Sequence, residues 1–171
     1  MIGVHRAPMD ADWHDTSAWQ QVMPTGPILE PTKPTKADGD DLNLAWEKRC
    51  IEAATLVEHD GLHYMFYAGG YNNDPQRIGV AIGDDGATFR RLNVGQPILS
   101  EGEPGTWNAG ESGHPGVFKD SGGRCYLFYQ GDNPKDGINW HLSMVPIVWE
   151  PQEDGPDLPR LDFEDPMLKR D

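Results

Sequence analysis

Glu52 stands just ahead of a short apolar run, Ala53-Ala54-Thr55-Leu56-Val57, and Gly113-His114 stands ahead of a second one, Pro115-Gly116-Val117-Phe118. A carboxyl at the start of a strand that lines a central channel lies close to carboxyls on neighbouring elements, and carboxyl pairs are standard equipment of acid–base catalysis. The plainer reading of Glu52 is a strand-start residue paired with Lys48 or Arg49. His114 falls one residue beyond the position that matches Glu52, and a lone histidine usually packs as a hydrogen-bonded residue. Glu111 sits in the loop that carries Trp107, where it either lines a cleft or pairs with a nearby donor. Trp46 and Trp107 occupy equivalent loops, and an indole face serves equally as a sugar platform and as a core plug. Tyr71 and Asn72 lie in Gly69-Gly70-Tyr71-Asn72-Asn73-Asp74-Pro75-Gln76-Arg77, which with its counterpart Gln130-Gly131-Asp132-Asn133-Pro134-Lys135-Asp136-Gly137 offers amides and carboxylates that would suit hydroxyl groups but are also ordinary turn formers.

What positions these residues is a repeat. Trp46 and Trp107 are 61 residues apart, and Gly61-Leu62-His63-Tyr64-Met65-Phe66-Tyr67 matches Gly123-Arg124-Cys125-Tyr126-Leu127-Phe128-Tyr129 at a spacing of 62. A second pair of matches joins Ile2-Gly3-Val4, ending in Pro27-Ile28-Leu29, to Ile78-Gly79-Val80, ending in Pro97-Ile98-Leu99. The aromatic runs are apolar on both faces, as in strands sandwiched between two sheets. Asp60-Gly61, Asp84-Asp85-Gly86 and Asp120-Ser121-Gly122-Gly123 supply hairpin turns. Four-stranded antiparallel sheets repeated radially make an all-β fold, the β-propeller. Residues 1–150 then form a partial propeller, with two outer strands of one blade in 1–29, a whole blade in 46–99 and three strands of another in 107–148. Residues 151–171, rich in Pro, Asp and Glu, read as an acidic tail that wraps the surface or is disordered.

Lys and Arg number 14 and Asp and Glu 28, giving a net charge of −14. Phosphate-backbone binding lacks its basic footprint, which argues against nucleic acid as a partner. The two cysteines, Cys50 and Cys125, have no zinc spacing, and Cys125 reads as a small buried apolar residue. No apolar span reaches the roughly 18 residues of a membrane helix, and the first residues lack the apolar core of a secretion signal, so no membrane partner and a cytoplasmic location are expected unless an upstream leader is missing.

Two stretches resemble the five-bladed β-propeller glycoside hydrolases of families 43 and 32. Ile51-Glu52-Ala53-Ala54-Thr55-Leu56 followed by Gly61-Leu62-His63-Tyr64-Met65-Phe66-Tyr67 is similar to the strand that carries the general acid, with Ala54 where the family has proline. Ser112-Gly113-His114-Pro115-Gly116-Val117-Phe118 is similar to the last-blade Gly-His strand. The resemblance implies an incomplete five-bladed propeller acting on arabinofuranosides, xylosides or fructosides, with Glu52 protonating the leaving oxygen. It also implies that the partner aspartates come from blades outside this sequence, that no cofactor is required, and that His114 helps hold a hydrated Ca2+ in the channel through water. Asp10, Asp12 and Asp15 read as a solvated loop rather than substitutes for those aspartates.

Two functions follow. One is a glycosidase or a part of one; the other is a propeller module that binds saccharide or a protein without the catalytic blades. Either way an open ring leaves strand edges and an aromatic face to be covered, so a homo-oligomer or a longer chain is expected.

Overall fold

The computed structural model describes residues 1–22, 26–31, 46–47, 50–70, 75–92, 95–133, 135 and 139–169. Strand β1 (His5–Arg6) pairs with β2 (Gln20–Gln21). One four-stranded antiparallel sheet runs β3 (Ile51–His59), β4 (Leu62–Gly69), β5 (Arg77–Gly83), β6 (Arg90–Arg91). A second runs β7 (Glu111–Lys119), β8 (Cys125–Asp132), β9 (His141–Glu150), β10 (Leu158–Leu161). The described residues contain two single-turn 3-10 helices, Thr16–Ala18 and Pro166–Leu168, and no helix long and apolar enough to cross a membrane. The chain is all-β, built from propeller blades, as its sequence predicts.

The double-sided aromatic strand explains how the sheets stack. Tyr64 and Phe66 point from β4 toward the second sheet, where with Val57, Ile78, Val80 and Ile82 they meet Cys125, Leu127, Tyr129, Val145, Ile147 and Leu161. Met65 and Tyr67 point the other way, joining Ile51 and Ala81 against Ile2, Ile28, Leu29 and Trp46. At about 1.5–3 kcal/mol for each large apolar side chain removed from water, these two seams are what hold three layers in order. The Asp60-Gly61 turn between β3 and β4 has positive φ at both residues, 50° and 75°, the twist a two-residue hairpin needs. The N-terminal layer repeats the outer half of the middle one: Ile2 bridges Leu29 as Ile78 bridges Leu99.

The segment after residue 150 departs from the reading of an acidic tail. Leu158–Leu161 pairs with Ile147–Glu150 and gives the second sheet its fourth strand. Asp157 reaches the first sheet, its carbonyl accepting from the Tyr64 hydroxyl at 2.9 Å and its carboxylate meeting His59 Nε2 at 2.8 Å. Four residues framed by Pro, Asp and Glu carry too short a pattern to stand out, and Pro159 is tolerated because β10 is an edge strand.

One close approach yields an expected result. A Cβ added at Gly79 would lie 2.5 Å from the Trp46 ring and 2.7 Å from that of Tyr67. Both rings are rigid and buried, so Gly79→Ala should cost about 1–3 kcal/mol by overpacking, measured by urea denaturation. A neutral effect would show that the Trp46 seam is loose.

Candidate functional site

Both inner strands begin with the same irregularity. The ladder between β3 and β4 slips between Glu52 and Thr55, and that between β7 and β8 slips between Gly113 and Gly116. Within each bulge one non-glycine residue has a left-handed backbone, Ala53 at φ 51° and His114 at φ 46°. Such a conformation costs on the order of 1–3 kcal/mol, and bulges of this kind re-aim side chains at strand ends. Equivalent positions of two adjacent blades carry this strain, and there Glu52 and His114 meet.

The Glu52 carboxylate is exposed; its Oε1 accepts from Gln76 Nε2 at 2.5 Å and lies 3.7 Å from His114 Nε2. The opposite ring nitrogen, Nδ1, faces Gln130 Nε2 at 2.6 Å, and the same amide nitrogen lies 3.4 Å from Glu111 Oε1. An NH2 group facing a carboxylate is a donor, so Nδ1 accepts and the proton of neutral His114 rests on Nε2, toward Glu52. A polar chain thus runs Glu52, His114, Gln130, Glu111 across the mouths of two blades.

Glu111 is buried, only 8% exposed. Burial pushes its carboxyl above the usual range and the nearby Asp132 charge adds to this, while the Gln130 hydrogen bond and His114 oppose it. An acid raised in the folded state keeps its proton there at pH values where the unfolded chain has lost it. Stability should therefore fall as pH climbs from near 4.5, the ordinary value of a glutamate carboxyl, through the raised folded value, and the penalty is complete above it. Glu111→Gln is expected to melt higher than the native chain at neutral pH and to converge with it below pH 4.5. A constant offset across pH would remove titration of Glu111 as the cause.

Gln76 holds the two blades in register. Its backbone carbonyl accepts from Ser112 N at 3.0 Å, and its side chain crosses Gly113, where any Cβ would collide with Gln76 Oε1. That oxygen is buried and has no hydrogen-bond partner among the described residues. Gly113 is the one residue type that lets Gln76 reach Glu52.

The remaining sequence candidates separate. Trp46 is 5% exposed, stacked on Tyr67 with ring centroids 5.8 Å apart and pressed onto Gly69, so it plugs the core and offers no face to a sugar, correcting its reading as a binding residue. Trp107 is half-buried, packed on Tyr129 at 5.7 Å and near His141 at 6.0 Å. Tyr71, Asn72, Lys48 and Arg49 lie outside the described residues. Asp12 accepts from His14 N and Asp15 caps Thr16–Ala18, both carboxylates serving their own loop. Gln76 and Gln130, which the sequence offers only as loop amides, take their roles from contacts it does not show; the visible signal is Gln130 standing where the first repeat has Ala68.

Ca2+ asks for six to eight oxygen ligands. Glu52 and His114 offer one carboxylate and one imidazole, and among the described residues no group of three or more His, Cys, Asp or Glu is placed to hold a metal. The donor set does not fit Ca2+, and the chemistry below runs without it.

No protein-family model matches the sequence, and no curated protein matches it. Solved structures do. An endo-1,4-beta-xylanase from Bacteroides thetaiotaomicron superposes with a TM-score of 0.58 at 16% identity, over 86% of this chain and 44% of that one. A xylan beta-1,4-xylosidase from Bacillus halodurans gives 0.54 at 19% identity, over 72% and 23%. The GH43 protein BlXynB from Bacillus licheniformis gives 0.52 at 21%, over 65% and 22%. The likeness is one of fold: the chain is a partial β-propeller like part of each of these structures, and it spans less than half of their length.

Proposed function

We propose that this chain is part of a propeller glycoside hydrolase in which Glu52 is the general acid. The observation that carries the reading is the convergence of Glu52 and His114 from equivalent strained bulges of adjacent blades, at the end where the inner strands start. Glu52 gives its proton to the glycosidic oxygen as the bond to the anomeric carbon breaks; the leaving alcohol departs neutral, and Glu52 is left as a carboxylate beside the Gln76 amide and the His114 Nε2–H. A second carboxyl acts on the other side of the sugar, about 5–5.5 Å from the first for retention or 6.5–9.5 Å for inversion. Glu111, buried and raised, is suited to hold the His114–Gln130 pair rather than to take that part. The base or nucleophile is assigned to blades that complete the ring, and arabinofuranosides or xylosides are the substrates to try first.

A second reading, a saccharide-binding module, is favoured by one observation: among the carboxylates of the Asp10–Asp15 loop, Asp12 and Asp15 are engaged in their own turns. Calorimetry with xylo- and arabino-oligosaccharides beside a hydrolysis assay, both run on the protein with its ring completed, separates the two. Turnover supports the enzyme, binding without turnover the module, and neither overturns both.

A further inference from the structure

A pocket of about 280 Å³ opens at the end of the strands farthest from Glu52. Leu62, which lines it, faces His59 across the β3–β4 ladder, whereas Glu52 faces Ala68. Seven residues of strand at ~3.3 Å each put the two places roughly 23 Å apart. Leu62 and Ile82 of the first sheet make an apolar floor with Phe89, and Pro156 closes one side from the loop that leads to β10. The second sheet packs on one face of the first sheet and the N-terminal layer on the other, so the walls come from layers this sequence contains. They are also held in place without a ligand. Asp85 spends both oxygens on its own turn, accepting from Ala87 N at 2.8 Å, Thr88 N at 2.7 Å and Thr88 Oγ1 at 3.1 Å. Opposite, Asp157 fastens the Pro156 loop: its carboxylate meets His59 Nε2 at 2.8 Å, its carbonyl accepts from the Tyr64 hydroxyl at 2.9 Å, and the His59 ring stacks on Trp149 with centroids 4.0 Å apart. Two charged groups that line the pocket are left over. Among the described residues the side chains of Asp84 and Arg90 have no hydrogen-bond or ion-pair partner, each other included.

We propose that this pocket binds one sugar ring, at a site separate from that of Glu52. A sugar ring is amphipathic, with C–H faces that suit Phe89 and Pro156 and hydroxyls that donate to the Asp84 carboxylate and accept from the Arg90 guanidinium. Local charge favours a neutral ligand. Asp60, Asp84, Asp85 and Asp157 surround the opening and repel an anion, while a cation would face Arg90 across a space this small. A neutral polyol instead offers donors to the acid and acceptors to the base at once, without stranding either charge. The size sits near the lower end of the roughly 300–1,000 Å³ of small-molecule sites, enough for one ring and too little for a chain lying lengthwise. The inference does not depend on the role of Glu52.

An amide NMR titration of the protein with its ring completed, using xylose as the probe, reports where a sugar binds as well as whether it does. The expected result is a shift of the Leu62, Gly83 and Thr88 amides that saturates with a dissociation constant of ~1–10 mM, the weak affinity open to a ligand of about ten heavy atoms. Asp84→Ala and Arg90→Leu alter exposed side chains, so their spectra should stay those of the folded protein while each weakens binding about 10-fold or more, the worth of a hydrogen bond to a charged group. Cyclohexanecarboxylate, an anionic ring of similar size, should leave the three amides unmoved. Xylotriose distinguishes the two sources of such a ring: affinity equal to that of xylose assigns the pocket to a single sugar, tighter binding at the same amides to the end of a chain. Silence of the three amides up to ~100 mM xylose, shifts there that survive both substitutions, or tighter binding of the carboxylate than of the sugar would each overturn the proposal. The amides of Glu52 and His114 read the other site in the same spectra, so the failure of one reading is seen apart from the failure of the other.

Discussion

Arg91→Leu is expected to destabilise the fold by about 3–5 kcal/mol, the usual cost of stranding a buried charge. Glu47 is 0% exposed, in the loop ahead of β3. Arg91, on β6, grips it with both prongs of its guanidinium, Nε to Oε1 and Nη2 to Oε2, each at 2.6 Å. The Tyr67 hydroxyl donates to Oε1 as well, also at 2.6 Å, and is itself held well above the ordinary phenol range by burial and by the Glu47 charge. Removing the guanidinium takes both of its charged hydrogen bonds from a carboxylate buried beside Tyr67. Removing both partners together, as Glu47→Leu with Arg91→Leu, should restore much of the loss, since apolar replacement of a whole buried pair is often neutral. Urea denaturation of the two single variants and the double one reads the coupling directly. Additive losses would show that the pair is solvated rather than buried. The pair also bears on function: it fixes the loop that delivers the chain to β3, and so the position of Glu52.

That pair was invisible in the sequence, and the reason is instructive. Trp46-Glu47-Lys48-Arg49 looks like a solvated charge cluster, and nothing local marks Glu47 as the buried member, because its partner lies 44 residues on. The features that were legible are those a repeat writes twice. Tyr64, Phe66, Tyr126 and Phe128 announced two-sided strands, and the sheets stack on both sides of β4. The one-residue offset puts Glu52 at the start of one bulge and His114 inside the equivalent one, and the two side chains lie 3.7 Å apart. The features that were not legible are those in which a residue's role depends on one neighbour. Gln76 is an ordinary turn amide until Gly113 leaves room for it, Trp46 is a candidate platform until Gly69 and Gly79 are seen beneath it, and Leu158–Leu161 is a scatter of apolar residues until Ile147–Glu150 lies alongside.

Glu52→Gln separates a proton donor from a residue that merely holds its place. The amide is isosteric and its oxygen can still accept from Gln76 Nε2, so the strand start and the blade contact at Gly113 should persist and the melting temperature should hardly change. What is lost is the proton. With the ring completed by blades that carry the second carboxyl, oligosaccharides, whose alkoxide leaving groups need protonation, should turn over about 10²–10⁴-fold more slowly, the range that general acid catalysis contributes. Aryl glycosides with acidic leaving groups depart with little help, so their hydrolysis should fall far less. The ratio of the two losses is the diagnostic, because a change in packing or in ground-state binding lowers both alike. Equal losses would assign Glu52 to binding, and unchanged rates on both would remove it from the mechanism. For the 171-residue chain alone, little hydrolysis is expected with either substrate class, since Glu52 has no carboxyl assigned opposite it. Robust turnover by that chain would mean that a carboxyl taken as structural, in the Asp10–Asp15 loop or at Glu111, reaches the sugar from the far side.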